Sequence, residues 1–282
     1  MKLPFTLDLS GKTAVVTGGA GVLLSPMCQA LAQCGAKVAV LNRTFSKAEA
    51  LCSQIERDGG VALPFSADVC ARESLEGVHA QVQTALGPCS ILINGVGGND
   101  PSASTADEFY DEAVARDPGR ASFFDLKAGD VERVLSANFT SAFLSTQVFA
   151  QDMLRGGGCV LNVSSMNAFT PLTKIPAYSA AKAALSNFTQ WMAVYFAKAG
   201  VRVNAIAPGF FSSEQNRALL WNPDGTPTPR TDKILANTPM GRFGQPAELL
   251  GAMLFLLDEA ASGFITGVVL PVDGGFSAYS GV

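Results

Sequence analysis

Through residue 160, short β-branched apolar runs alternate with longer stretches whose apolar positions recur every three or four residues. That alternation is the signature of βαβ units stacked around a parallel sheet. TAVVTG (13–18) predicts the first strand, followed by a helix through MCQALAQC that Gly35 stops. KVAVLNR (37–43) predicts the second strand, and KAEALCSQIER a helix ended by Gly59 and Gly60. VALPFSADV (61–69) and CSILING (89–95) follow as strands three and four, separated by the amphipathic run RESLEGVHAQVQTAL. A helical pattern through VERVLSANFTSAFLSTQVFAQDML precedes CVLNVS (159–164), the fifth strand. A helix then carries Tyr178 and runs to about Ala199, and VRVNAIA (201–207) is strand six. A helix near PAELLGAMLFLL and a last strand, GVVLPV, complete the series. The fold class is α/β: one domain over 1–282, a Rossmann-type doubly wound parallel sheet of about seven strands, with helices on both faces.

Two stretches break this rhythm. Residues 98–124 are polar and long for a loop in a compact domain, so this insertion reads as either functional or mobile. Residues 209–239 contain Pro223, Pro227, Pro229 and Pro239 and read as an irregular lid over the substrate. No internal repeat or low-complexity tract interrupts the chain.

Composition narrows the partners. Charged residues make up 16% of the 282 and hydrophobic residues 48%, whereas about 25% charged is ordinary. That balance fits a sheet buried on both faces. Lys and Arg number 20 against 24 Asp and Glu, a net charge of −4 with no basic run, which argues against a nucleic-acid partner. The six cysteines have no Cys-x-x-Cys spacing, so no metal site is expected and reduced thiols in the cytoplasm are. The start, MKLPFTLDLSGK, lacks a signal peptide's apolar core, and no stretch is long and apolar enough for a membrane span. With His79 the single histidine, a Ser-His-Asp hydrolase is improbable, and His79 is expected on a helix surface.

Candidate chemistry sits at strand ends. Tyr178 and Lys182 are four apart, one turn along the same helix face. An ammonium beside a phenol favours its phenolate and lowers its pKa, which equips a tyrosine for proton transfer. Ser165, at the end of strand five, can offer a hydroxyl to the same oxygen. The pair alone reads more readily as an aromatic core residue beside a snorkelling lysine. TGGAGVLLS joins strand one to the first helix, where exposed N–H groups and the helix dipole attract phosphate. Gly18, Gly19 and Gly21 permit close approach there, with Val22 and Leu23 opening the helix; an ordinary tight turn is the plain alternative. Strand two ends in Asn42 and Arg43, and an arginine suits a 2′-phosphate where an acid would take a ribose hydroxyl. This favours NADP(H), with NAD(H) the alternative, unless Arg43 is simply a solvated surface residue. Asp68 and Val69 can hold an adenine, or Asp68 can cap a helix.

These marks, taken in order, resemble the short-chain dehydrogenase/reductase family over essentially the whole chain. The series is TGGAG, Asp68, INGVG, Asn138, Ser165, Tyr178 with Lys182, VNAIAPGF, GRFGQPAEL and VDGGFSAY. The resemblance implies a nicotinamide-dependent oxidoreductase in which Tyr178 is the acid/base and Lys182 binds the nicotinamide ribose. It implies that Ser165 holds the substrate oxygen and that Asn138 supports a proton-relaying water. Asn94, Gly95, Gly97, Pro208, Gly209 and Ser213 fall where the family contacts the cofactor. Two departures stand out. Val22 and Leu24 replace the last two glycines of the family's turn, and Gly95 replaces the second asparagine of its N-N-A-G segment. Leu24 is expected to push the helix from the strand.

The runs SSMNAFTPLTKIPAYSAAKAALSNFTQW, NAIAPGFFSSEQNRALL and PVDGGFSAYSGV closely resemble the family's D-mannonate oxidoreductase branch. That resemblance implies interconversion of D-fructuronate and D-mannonate. The polar groups around the expected pocket suit a sugar acid, with Asn99, Asn167, Lys174 and Arg217 the candidate substrate residues, though each reads equally as loop surface. A gluconate or deoxygluconate dehydrogenase and a non-catalytic dinucleotide sensor are the other readings. The family also implies a homotetramer.

Overall fold

The computed structural model describes residues 7–117, 119–212 and 220–281. Seven strands form one parallel sheet in the order β3-β2-β1-β4-β5-β6-β7. They are β1 (Thr13–Thr17), β2 (Lys37–Asn42), β3 (Val61–Ser66), β4 (Cys89–Asn94), β5 (Gly158–Val163), β6 (Val201–Pro208) and β7 (Val269–Val272). The larger helices are α1 (Leu24–Gln33), α2 (Phe45–Arg57), α3 (Arg72–Leu86), α4 (Ala128–Leu135), α5 (Ser141–Phe149), α6 (Pro176–Phe196), α7 (Pro229–Ala236) and α8 (Glu248–Leu257).

Side chains on a strand alternate between faces, and each face of this sheet has its own core. Val16, Val40 and Ile93 pack on Met27 and Leu31 of α1, Ile55 of α2 and Met253 of α8. Val15, Leu41 and Leu92 turn the other way, onto Leu75 and Val82 of α3, Phe149 of α5 and Met192 of α6. Burying one such side chain stabilises by roughly 1.5–3 kcal/mol, which is why strands buried on both faces carry so little charge. The order reverses between β1 and β4, and in an open parallel sheet the crevice at that switch point is where ligands bind.

The structure departs from the expected elements in four places. Strand β3 stops at Ser66 because Asp68 closes a turn, its Oδ1 accepting from the Cys70 N–H at 3.0 Å. The long helical pattern before β5 is broken by a π-turn, Ser136–Thr140, between α4 and α5. The 209–239 stretch contains a helix, α7, in which Pro229 takes the first position and the Thr228 hydroxyl accepts from the Thr231 N–H at 3.3 Å. Proline is tolerated there because that N–H has no helical partner anyway. His79 is not simply on a helix surface: it is half-buried, with Nε2 3.0 Å from both carboxylate oxygens of Asp152 and its ring edge-on to Phe149.

The 98–124 insertion consists of short turns, among them Pro101–Ala103 and Phe123–Asp125, and one helical turn, Glu112–Ala115. Among the contacts that tie it down, two reach other parts of the expected substrate wall. The Thr105 N–H donates to the Lys174 carbonyl at 2.8 Å, and Glu108 pairs with Lys233 of α7. Lys174 itself sits in the left-handed region with φ 71°.

Candidate active site

A cleft of about 990 Å³ runs along the carboxyl ends of β1 to β6. Its near wall is the turn after β1. Gly21 donates to the Gly18 carbonyl at 2.8 Å, and its own carbonyl receives the Ser25 N–H at 2.8 Å, which starts α1 with Val22 and Leu23 facing the cleft. Gly18 has φ 68°, and a side chain there would meet Val96 Cγ2 at 3.1 Å, so only glycine sits easily in this turn. Gly19 points away from the cleft instead, packed so close to Val40 and Cys28 that it serves the strand–helix contact. Leu24 is accommodated as a buried core residue that also lines the cleft.

The far end of the cleft is formed by Asn42, Arg43, Thr44, Asp68, Val69 and Cys70, with Lys47 beside them. Asp68 spends one oxygen on the Cys70 amide and is not the cap of α3, a position Ala71 takes. Sequence reasoning missed Lys47. The signal was there in its spacing, four residues after Arg43, and the two cations line one corner with no carboxylate at the end of β2.

At the other end Ser165, Tyr178 and Lys182 converge, brought by β5 and α6. The Ser165 Oγ accepts from the Asn167 N–H at 3.2 Å and lies beside the Tyr178 phenol. Burial pushes the Tyr178 phenol above its ordinary value, and the Ser165 bond opposes that rise. This corrects the expected depression. Lys182 stands 5.7 Å from the ring centroid and donates to the Val163 carbonyl at 2.8 Å, so desolvation outweighs its help. The same desolvation lowers Lys182 to about 8, which leaves it mostly charged at neutral pH.

Asn138 comes from the π-turn, a feature that recurs at functional sites. Its Nδ2 donates to the Val134 carbonyl at 2.8 Å and the Gly98 carbonyl at 2.7 Å, and its Oδ1 accepts from the Gly98 N–H at 3.0 Å. Gly97 lies against this group: a side chain would start 2.4 Å from Asn138 Oδ1 and 3.0 Å from Lys182 Nζ. Pro208 and Gly209 close the cleft beyond Ser165, and the Gly209 N–H donates to the Val272 carbonyl at 3.0 Å.

Not every expected residue faces this cleft. Gly95 and Gly97 do, but Asn94 is turned into the sheet, where its Nδ2 donates to Asn162 Oδ1 at 2.9 Å and Thr146 Oγ1 at 3.0 Å. An amide at the end of β4 must face one side of the sheet or the other, and here it binds β5 and α5. Of the substrate candidates, Asn99 lines the cleft, with its amide on the Ser104 hydroxyl at 2.9 Å. Asn167 is buried and accepts the Leu172 N–H at 3.2 Å, whereas Lys174 is exposed outside the cleft. Ser213 and Arg217 lie outside the described residues.

The family pattern described as short chain dehydrogenase matches residues 12–222. An uncharacterized oxidoreductase of Bacillus subtilis is 53% identical over 281 residues, covering 99% of this chain and 100% of its own. A crystal structure from Haemophilus influenzae, provisionally named a D-mannonate oxidoreductase and holding NAD, superposes with TM-score 0.95 at 51% identity over the whole of both chains. A gluconate 5-dehydrogenase from Burkholderia cenocepacia, in complex with NADP and tartrate, gives TM-score 0.82 at 27% identity over 98% of this chain and 99% of its own.

Proposed function

The chain belongs to the short-chain dehydrogenase/reductase family of oxidoreductases, and from that premise we propose that it interconverts D-fructuronate and D-mannonate. The observation that carries the chemistry is the convergence of Ser165, Tyr178 and Lys182 at one end of a cleft whose other end is basic. A nicotinamide cofactor, when bound, would supply or accept the hydride at the substrate's carbinol carbon. The cleft fits such a dinucleotide, because Gly18 and Gly97 leave a cradle that side chains would fill. Gly18, Gly21, Val22 and Leu23 hold the phosphates in this reading, and Gly95, Gly97, Pro208 and Gly209 flank the nicotinamide. Tyr178 moves the proton on the substrate oxygen while the Ser165 hydroxyl polarises it. Lys182 holds the ribose and supplies positive charge beside the phenol. Asn138 positions the proton path from Lys182 outward through a water.

Sugar-acid specificity rests on the resemblance to the D-mannonate branch, supported by the Haemophilus influenzae relative. Oxidation of a gluconate is the second reading, favoured by the Burkholderia cenocepacia relative. Purified protein assayed with D-fructuronate and 5-ketogluconate separates them: reduction of D-fructuronate alone is expected, and its absence sinks the first reading. Arg43 and Lys47 favour NADP(H), and the NAD held by the 51% identical relative makes NAD(H) the competing outcome. The ratio of kcat/KM for NADPH and NADH decides between them. A cytoplasmic homotetramer completes the proposal. The exposed Trp191, Val194 and Tyr195 of α6 support a subunit contact, with Trp191 stacked on Tyr195 at 4.9 Å. Light scattering that finds a stable monomer refutes it.

A further inference from the structure

Helix α1 and the segment after β4 each depart from the family pattern, and the two departures meet in space. Leu24 stands where the family's turn has its last glycine, and Gly95 where the family has its second asparagine. A side chain built on Gly95 would place its first carbon 2.6 Å from both Cγ and Cδ1 of Leu24. Carbon atoms rest roughly 3.5–4.0 Å apart, so residue 95 cannot carry a side chain while Leu24 keeps its place. Leu24 is 5% exposed, packs in the core with Met27 and Ile93, and also forms part of the cleft wall.

We infer that Leu24 and Gly95 are an interlocked pair beneath the dinucleotide cleft: while Leu24 keeps its place, position 95 cannot carry a side chain without displacing the backbone that faces the cofactor. The leucine occupies the volume that a side chain at position 95 would need. A shift of Gly95 would not stay local. Its N–H donates to Thr17 Oγ1 at 3.1 Å, and a side chain on Gly18 would lie 3.4 Å from its carbonyl group. Displacement at 95 therefore reaches the phosphate turn through Thr17 and Gly18. One second obstacle exists: a methyl on Gly95 would also lie 2.9 Å from the Thr17 carbonyl oxygen, which trimming Leu24 does not remove. The inference rests on the dinucleotide reading of the cleft and not on which sugar acid is the substrate.

The test compares the wild type with Gly95→Ala, Leu24→Ala and the double variant. NADH and NADPH binding is followed by nicotinamide fluorescence, and Tm is measured on the same samples. Gly95→Ala is expected to weaken both dinucleotides by about tenfold or more. Leu24→Ala leaves a cavity and lowers Tm by roughly 5–10 °C, with dinucleotide affinity changed by less than about threefold. The double variant is expected to bind at least about threefold more tightly than Gly95→Ala alone, the coupling that independent sites do not show. Wild-type affinity in Gly95→Ala overturns the inference, as does a double variant no better than the single one, which assigns the block to Thr17. If Gly95→Ala does not fold, a folded, dinucleotide-binding double variant supports the pair and an unfolded one overturns it. A wild type that binds neither dinucleotide defeats the cofactor reading as well, whereas turnover of a different sugar acid leaves the pair standing.

Discussion

The two ends of the substrate path are built on opposite principles. The dinucleotide side uses backbone: Gly18, Gly21 and Gly97 bring the chain close to a ligand and leave no room for alternatives. The substrate side uses side chains on long connections, where the 98–124 insertion leans on α7 through Glu108 and Lys233 and on Lys174 through a backbone bond. Backbone proximity tolerates almost no change, whereas surface ion pairs between loops tolerate a good deal. In the proposed function, chemistry is accordingly anchored in the first region and selectivity placed in the second. Loops carried on a rigid scaffold are where such variation is cheap.

That contrast can be broken in graded steps. Gly97→Ala places a methyl against Asn138 and Lys182, and a small misplacement there is expected to lower kcat by about a hundredfold; a loss under threefold, in a fully folded protein, would show the rigid side to be softer than described. Ser165→Ala is expected to lower kcat by somewhat less, on the order of 10–100-fold, and also to move the pH profile. Alcohol oxidation needs Tyr178 to accept a proton, so its rate climbs with pH toward the raised phenol value, and carbonyl reduction falls through the same range. The Ser165 bond opposes the rise caused by burial, so its removal carries the limb to higher pH; movement to lower pH would reverse the assigned roles. Arg43→Ala and Lys47→Ala are each expected to reduce kcat/KM for NADPH by about tenfold with little change for NADH, and equal losses for both cofactors would remove the 2′-phosphate from that corner. Lys233→Ala should give the smallest effect, a rise in substrate KM of about two- to threefold at unchanged dinucleotide affinity. A change in cofactor affinity instead would mean that the two regions are coupled.

How much was legible in the sequence follows the same divide. The strands could be read because β-branched apolar runs and the glycine stops of the helices between them are local signals, and Ser165, Tyr178, Lys182 and Asn138 do meet around one cleft. The turn of 209–239 into α7 was missed because Pro229 was weighed as a breaker, although Thr228 before it is a helix-capping residue. The π-turn under Asn138 was hidden because one extra residue per turn barely disturbs an apolar pattern. The direction of the Tyr178 shift was misjudged because spacing along a helix says that Lys182 is near but not how deeply both are buried. His79 against Asp152 joins α3 to a segment 73 residues away, and no local pattern encodes such a meeting. Asn94 and Asn167 shared the polarity expected of ligands, yet the Asn94 Nδ2 and the Asn167 Oδ1 bond within the protein.

The most direct test of the account is Tyr178→Phe, with turnover and dinucleotide affinity measured on one preparation. Removing the phenol oxygen from a site where the ring otherwise fits should cut turnover of the sugar acid by about a thousandfold or more while dinucleotide Kd stays within about twofold. Unchanged turnover in that variant would contradict the account and take the acid/base role away from Tyr178.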